Sequence, residues 1–180
     1  NSFCCTFFEA KSSGYWPQYA FAQYKSGSII MEHKTLGAIT ELPLEALLPQ
    51  RGRMLLLDAV LAGDTTFAIT RSIVRPEWPL ARANGVDALI LVEIAAQTAG
   101  ISCSWERLLS KGVHSEQKGW IVAIKRLELH LAQLPFHAHI KAEGRSTIKY
   151  GGFQEVATRM HMNNALIAEV VLQLYQPEEG

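Results

Sequence analysis

The stretch D-A-L-I-L-V-E-I-A-A-Q-T-A-G, Asp87 to Gly100, decides how this chain folds. It has no proline and few β-branched residues, and the same character runs on to about Leu109, which predicts one α-helix of about five turns with Asp87 as its N-cap. Leu89, Ile90, Leu91, Val92, Ile94, Ala95, Ala96, Ala99 and Ile101 leave it no polar face. A helix that is apolar all round is buried, so this one is expected to be wrapped by sheet. Within the run stand Glu93 and Gln97, four residues apart and hence one above the other on the same side.

Upstream, Leu42 to Leu48 has the apolar spacing of a short helix, stopped by Pro49. The next segment, R-G-R-M-L-L-L-D-A-V-L-A-G-D-T-T-F-A-I-T-R-S-I-V from Arg51, holds two β-prone runs parted by Ala62-Gly63-Asp64, a hairpin signal. Arg75 to Ala83 carries two prolines and reads as irregular, and Asn84-Gly85 leads into the helix. Downstream of a polar loop at Ser110 to Lys118, the runs 120–131, 137–150, 153–162 and 165–175 alternate apolar and polar residues, with Gly151-Gly152 and Asn163-Asn164 as turns. The order is a short helix, two strands, one long helix and four strands. That is an α+β layout, about six antiparallel strands with the helix against one face of the sheet.

With 180 residues, 48% of them hydrophobic, the chain is large enough for one sizeable core, and a single domain is the expectation. Seventeen basic and seventeen acidic residues balance without a long run of either sign, which argues against a nucleic-acid or membrane-surface partner and for a small molecule or another copy of the chain. Cys4, Cys5 and Cys103 make neither a metal-ligand spacing nor a disulfide framework, so a reducing, cytoplasmic setting is expected, with no metal and no cofactor. The apolar run at 88–101 is too short for a membrane span, and the N-terminus lacks the basic-then-apolar order of a signal peptide. Residues 1–30 show no sustained period and crowd Tyr15, Trp16, Tyr19 and Tyr24 together, whereas Met31 opens a stretch that reads like an ordinary protein start. The expected division is an N-terminal extension at 1–30, either upstream readthrough or a genuine tail, and one domain at 31–180.

A carboxylate buried without partners costs several kcal/mol, roughly, and raises its pKa instead, which makes Glu93 a candidate acid or base near neutral pH. The structural alternative is a buried ion pair with Arg51, Arg53 or Arg82, with Gln97 satisfying a main-chain group. Histidines offer little help. His137 and His139 fall with Lys141 and Glu143 on the polar face of a strand, His130 shares a strand face with Glu128, His161 lies between two methionines, His114 is in a loop and His33 lies in the leader region. There is no Gly-x-Ser-x-Gly elbow, phosphate loop or zinc motif.

Two motifs carry a family resemblance. L-L-P-Q-R-G-R-M-L-L-L-D (47–58) and V-E-I-A-A-Q-T-A-G (92–100), in this order of elements, resemble the hotdog-fold 3-hydroxyacyl-(acyl carrier protein) dehydratases, and specifically their aryl-polyene-cluster branch. The likeness spans Met31 to about Pro177. It implies a curved antiparallel sheet around the long helix, a homodimer or a heterodimer with a related hotdog protein, and an acyl carrier protein or coenzyme A thioester as substrate. The reaction implied is reversible loss of water from a 3-hydroxyacyl thioester in fatty acid or polyene biosynthesis. By the same resemblance Glu93 is the helix carboxylate and Gln97 its orienting amide, and Gln50 is expected to join this catalytic group by orienting the carboxylate or the substrate. Asp87 and Ala88 stand where a backbone oxyanion donor polarises the thioester, and Arg53 joins them in substrate binding.

The chain departs from the family at its base. The Gly-His-Phe-Pro segment of the usual dehydratases is replaced by R-P-E-W-P-L-A-R-A-N-G-V, and the leucine-proline-histidine of the leading motif has Gln50 in the histidine place. Glutamine neither accepts nor releases a proton at neutral pH. Three functions therefore stand: a dehydratase working through Glu93 alone, a thioesterase using the same carboxylate to activate water, and a catalytically silent acyl-binding or heterodimer partner.

Overall fold

The computed structural model of the chain describes residues 38–112, 115 and 119–176. The expected extension at 1–30 lies outside them. A 3-10 turn at Ile39–Glu41, the short helix α1 (Leu44–Leu47) and a second 3-10 turn at Gly52–Met54 lead into strands β1 (Ala59–Gly63) and β2 (Phe67–Ile73). Two very short strands, β3 (Ala81–Arg82) and β4 (Gly85–Asp87), precede the long helix α2 (Ile90–Lys111). Strands β5 (Trp120–Leu129), β6 (Gln133–Leu134), β7 (His139–Tyr150), β8 (Phe153–Met162) and β9 (Ala165–Tyr175) follow.

Six strands form one antiparallel sheet in the order β1-β2-β7-β8-β9-β5, and α2 packs against β1, β2, β7, β8 and β9. This is the expected α+β hotdog layout, one long helix embraced by about six strands. The turns are set by local chemistry. Asp64 Oδ1 accepts the N–H groups of Thr66 at 2.6 Å and Phe67 at 3.1 Å, closing the β1–β2 hairpin. Asn163 and Asn164, at φ 50° and 65°, both take the left-handed conformation that a tight two-residue hairpin demands, which joins β8 to β9.

Three features differ from the sequence reading. The end of the segment expected to be irregular, the residues expected to lead into the helix and 133–134 form a second small sheet in the order β3-β4-β6. Strands of two or three residues show no period, so alternation does not reveal them. Gly85 is required there: a Cβ on it would lie 2.3 Å from the carbonyl oxygen of Leu134. Next, α2 begins at Ile90 and not at Asp87, which pairs with Gln133 in β4. Asp87 still serves the helix start, because its Oδ1 accepts the Leu89 N–H at 3.1 Å just ahead of the first turn.

The third difference concerns the far side of α2. Val92, Glu93, Ala96 and Gly100 are only half-buried, so sheet does not wrap the helix all round. Their side of the helix lies under the segment that carries α1. Leu47, Leu48 and Leu56 there are fully buried, and a Cβ on Gly100 would stand 3.1 Å from Leu48 Cδ2, so the glycine lets this segment lie close. On the sheet side, Thr98 bonds the Ile94 carbonyl at 2.8 Å and the Thr70 hydroxyl at 2.8 Å. Gly144 faces Thr98, with room for a Cβ only 3.2 Å from its methyl group. The helix therefore sits low on the sheet and its phase is locked.

Strand β5 ends the sheet and is poorly covered. Ile124 and Leu127 lie opposite Leu172 and Val170 of β9, which are fully buried, yet they stay 39% and 38% exposed themselves. Both point to the helix side of the sheet, but α2 does not reach over the last strand.

Candidate active site

The site is assembled where the first two turns of α2 meet the segment 50–57, which contains the second 3-10 turn. Gln97, only 1% exposed, is its fixed point. Its Oε1 accepts the Leu56 N–H at 2.9 Å, while Nε2 donates to the Met54 carbonyl at 2.6 Å and to Glu93 Oε1 at 2.9 Å. A main-chain donor on one side and a main-chain acceptor on the other leave the amide one orientation. Glu93 Oε1 is therefore held as an acceptor. Gln50 Nε2 donates to the same oxygen at 3.2 Å, which leaves Oε2 as the oxygen without a fixed donor among the described residues.

Burial pushes the Glu93 carboxyl above its ordinary value, and the N–H groups of Gln97 and Gln50 pull it part of the way back. Among the described residues no charged side chain contributes, and none forms an ion pair with Glu93. Arg51 and Arg53 are exposed, with the Arg51 guanidinium on main-chain carbonyls, and Arg82 pairs with Asp87 at 3.0 Å. An isolated, half-buried carboxylate held on one oxygen by two neutral amides can take and return a proton on the other.

The structure thus brings Glu93, Gln97 and Gln50 into one hydrogen-bonded group. Asp87 and Ala88 sit just ahead of the helix, and their main-chain N–H groups are engaged, Asp87 with the Leu80 carbonyl at 3.1 Å and Ala88 with the Ala132 carbonyl at 3.0 Å. The buried Ala88 amide, expected as an oxyanion donor, is therefore occupied by the Ala132 carbonyl. Arg53 is an exposed residue of the second 3-10 turn, one position before Met54. Asp58, at the end of the leading motif, is structural: it accepts the Ile73 N–H at 2.6 Å and pairs with Arg75, tying the start of β1 to the end of β2.

His130, His137 and His139 are exposed and His161 is half-buried; none of them bonds Glu93, and His33 and His114 lie outside the described residues. Among the described residues no group of three or more metal-ligating side chains is brought together, and no helix is long and apolar enough to cross a membrane. Sequence reasoning missed the parts of the site that are main chain. The Leu56 N–H and Met54 carbonyl hold Gln97, and residue type carries no signal for them.

Solved structures place this architecture among hotdog proteins. The dehydratase heterocomplex ApeI:P from Xenorhabdus doucetiae matches with a TM-score of 0.68 at 16% identity, over 77% of this chain and 93% of that one. Cj0977, a sigma28-regulated virulence protein of Campylobacter jejuni, matches with a TM-score of 0.58 at 15% identity, over 76% and 89%. The PaaI protein of the E. coli phenylacetic acid degradation operon matches with 0.51 at 11% identity, over 65% and 81%. At such identities the likeness is one of fold. No curated protein matches the sequence. The sequence profile of the ApeP-like dehydratases, described as ApeP dehydratase, matches residues 42–180, a span that contains Gln50, Glu93, Gln97 and every strand of the main sheet, and the chain belongs to that family.

Proposed function

We propose that this chain acts on 3-hydroxyacyl thioesters as a dehydratase-family subunit whose single proton-transfer group is Glu93. The observation that carries the reading is the Glu93 carboxyl itself, half-buried, without a cationic partner among the described residues and gripped on one oxygen by Gln97 and Gln50. In the ionised form its Oε2 takes the proton from C2 of the acyl group. The C2 electron pair then forms the C2–C3 double bond as the C3–O bond breaks, and the same proton returns to the departing hydroxyl, which leaves as water. One carboxylate serves both transfers, so no net proton is gained or lost. Burial favours this, because a carboxylate pushed upward is a stronger base than an exposed one.

The uncovered apolar side of β5 supports a second subunit laid along that edge, either another copy or a related hotdog chain, since an open edge strand with exposed Ile124 and Leu127 is a surface that pairing would cover. A solved relative in fold is described as a heterocomplex, which favours the related chain. A second reading, a catalytically silent partner, is favoured by one residue: Gln50 sets a non-titrating amide against Glu93.

The test is mass spectrometry of a 3-hydroxyacyl-(acyl carrier protein) after incubation with the chain and with Glu93→Gln. Loss of 18 Da, the mass of one water, that vanishes in Glu93→Gln is the expected result. Free acid would mark a thioesterase. Unchanged substrate would leave the silent-partner reading in its place.

A further inference from the structure

We infer that Arg51 is a positioning residue of this site: its guanidinium clamps the turn that delivers the Gln50 amide onto Glu93. The side chain folds back on its own segment. Nη1 donates to the carbonyl oxygens of Leu48 at 2.5 Å and Gln50 at 2.7 Å, and Nη2 donates to that of Glu45 at 2.8 Å. Helix α1 has only four residues, so its last carbonyls lack partners within the helix. Pro49, having no N–H, adds no donor of its own. One planar fork gathers carbonyls from before, within and after the bend and closes it around Pro49, which an ammonium on a flexible stem does not reproduce.

The next link runs from Gln50 outward. With its carbonyl oxygen tied to Arg51, the residue has its main chain fixed, and its side chain reaches Glu93 Oε1 at 3.2 Å. That bond is the longer of the two on this oxygen, and nothing else among the described residues holds the Gln50 amide, since its Oε1 is buried without a donor. Gln97 is held independently by Leu56 and Met54. Of the two amides on Glu93, one is therefore anchored by the core and the other by Arg51. Among the described residues no charged side chain contributes to the Glu93 shift, so Arg51 acts through Gln50 and not through its charge.

The functional meaning of this inference rests on Glu93 being the proton-transfer group, but its test needs no turnover. The carboxyl titration of Glu93 is followed by 13C NMR in the full chain, in Gln50→Ala, Arg51→Ala, Arg51→Lys and the double variant Gln50→Ala/Arg51→Ala, with thermal melting of each alongside. The expected result is an upward shift of the Glu93 titration in Gln50→Ala, a shift in the same direction in Arg51→Ala and Arg51→Lys, and a double variant that titrates with Gln50→Ala. Arg51→Lys keeps the charge and the exposed stem, so it tests the fork in a chain that keeps its fold. A Glu93 titration left in place by Arg51→Ala, with only the melting temperature lowered, would overturn the inference, as would wild-type titration in Arg51→Lys or a double variant shifted beyond Gln50→Ala. Failure of the chain to dehydrate a 3-hydroxyacyl thioester, with these shifts intact, would strike the proposed reaction alone.

Discussion

Replacing Gln97 by Met keeps length and rough volume while removing every hydrogen bond of the amide, and the structure allows the loss to be worked through. Three bonds go, those to Leu56, Met54 and Glu93. Leu56 is 1% exposed, so its N–H has no route to water, and the Met54 carbonyl loses a partner at 2.6 Å. Each of these two main-chain groups left unpaired costs about 1–3 kcal/mol, and the thioether regains roughly 1 kcal/mol as apolar burial, so the net loss is about 1–5 kcal/mol. Urea unfolding at neutral pH, compared with wild type, measures it. The same substitution removes one of the two donors that hold Glu93 down, so its titration moves upward in parallel. A stability loss under about 1 kcal/mol would mean that the Leu56 N–H has found another acceptor, and the description of Gln97 as the fixed point of the site would be refuted.

Glu93→Gln changes how stability depends on pH. The folded-state carboxyl titrates above its ordinary value of 4.5, so below that value both states are protonated and no penalty exists. As pH rises through the interval between the two values, the unfolded chain ionises first and wild-type stability falls, whereas Glu93→Gln shows no such decline from this position; parallel pH curves for the two proteins would contradict the assignment. Gly85→Ala is expected to destabilise by more than 2 kcal/mol, roughly the tail of single-substitution effects, because its Cβ meets the Leu134 carbonyl oxygen, and hydrogen exchange at Val86 and Asp87 reads the opening of β4. Cys103, whose thiol is pushed up to about 11 by burial first and then by Glu106, donates to Gln154 Oε1 at 3.0 Å. Alkylation of Cys103 by iodoacetamide in the native protein at pH 8 is expected to be at least about tenfold slower than in urea; equal rates would show that it is open to solvent.

Much of the fold was legible because the signals are local. Alternation in 137–150, 153–162 and 165–175 and the paired glycines and asparagines between them mark three long strands and two tight turns, and β7, β8 and β9 occupy those ranges except that β7 starts two residues later, at His139. The residues 81–87 and 133–134 gave no such signal, since the strands are only two or three residues long and β4 pairs with β6 across about fifty residues of chain. The apolar circumference of α2 correctly implies burial, but it does not say by what. Sheet covers one side and the α1 segment part of the other, while Val92, Glu93, Ala96 and Gly100 stay half-buried.

The candidate site divides in the same way. The four-residue spacing of Glu93 and Gln97 places them on one stripe of a helix from sequence alone, and the polar pair stands out because everything around it is apolar. The leading motif at 47–58 points to Gln50, yet only the packing of that segment over α2 brings its amide to Glu93 across forty-three residues of chain. The competing ion pair with Arg51, Arg53 or Arg82 was equally compatible with the sequence. Tertiary structure decided against it, because all three side chains are exposed, with the Arg51 guanidinium on carbonyl oxygens and that of Arg82 on Asp87. Sequence by itself determined which residue types line the helix and in what phase, since a 3.6-residue period is a property of the chain. What faces that helix, and therefore whether Glu93 is neutralised by a cation or held by amides, depends on contacts between distant segments, which no local period encodes.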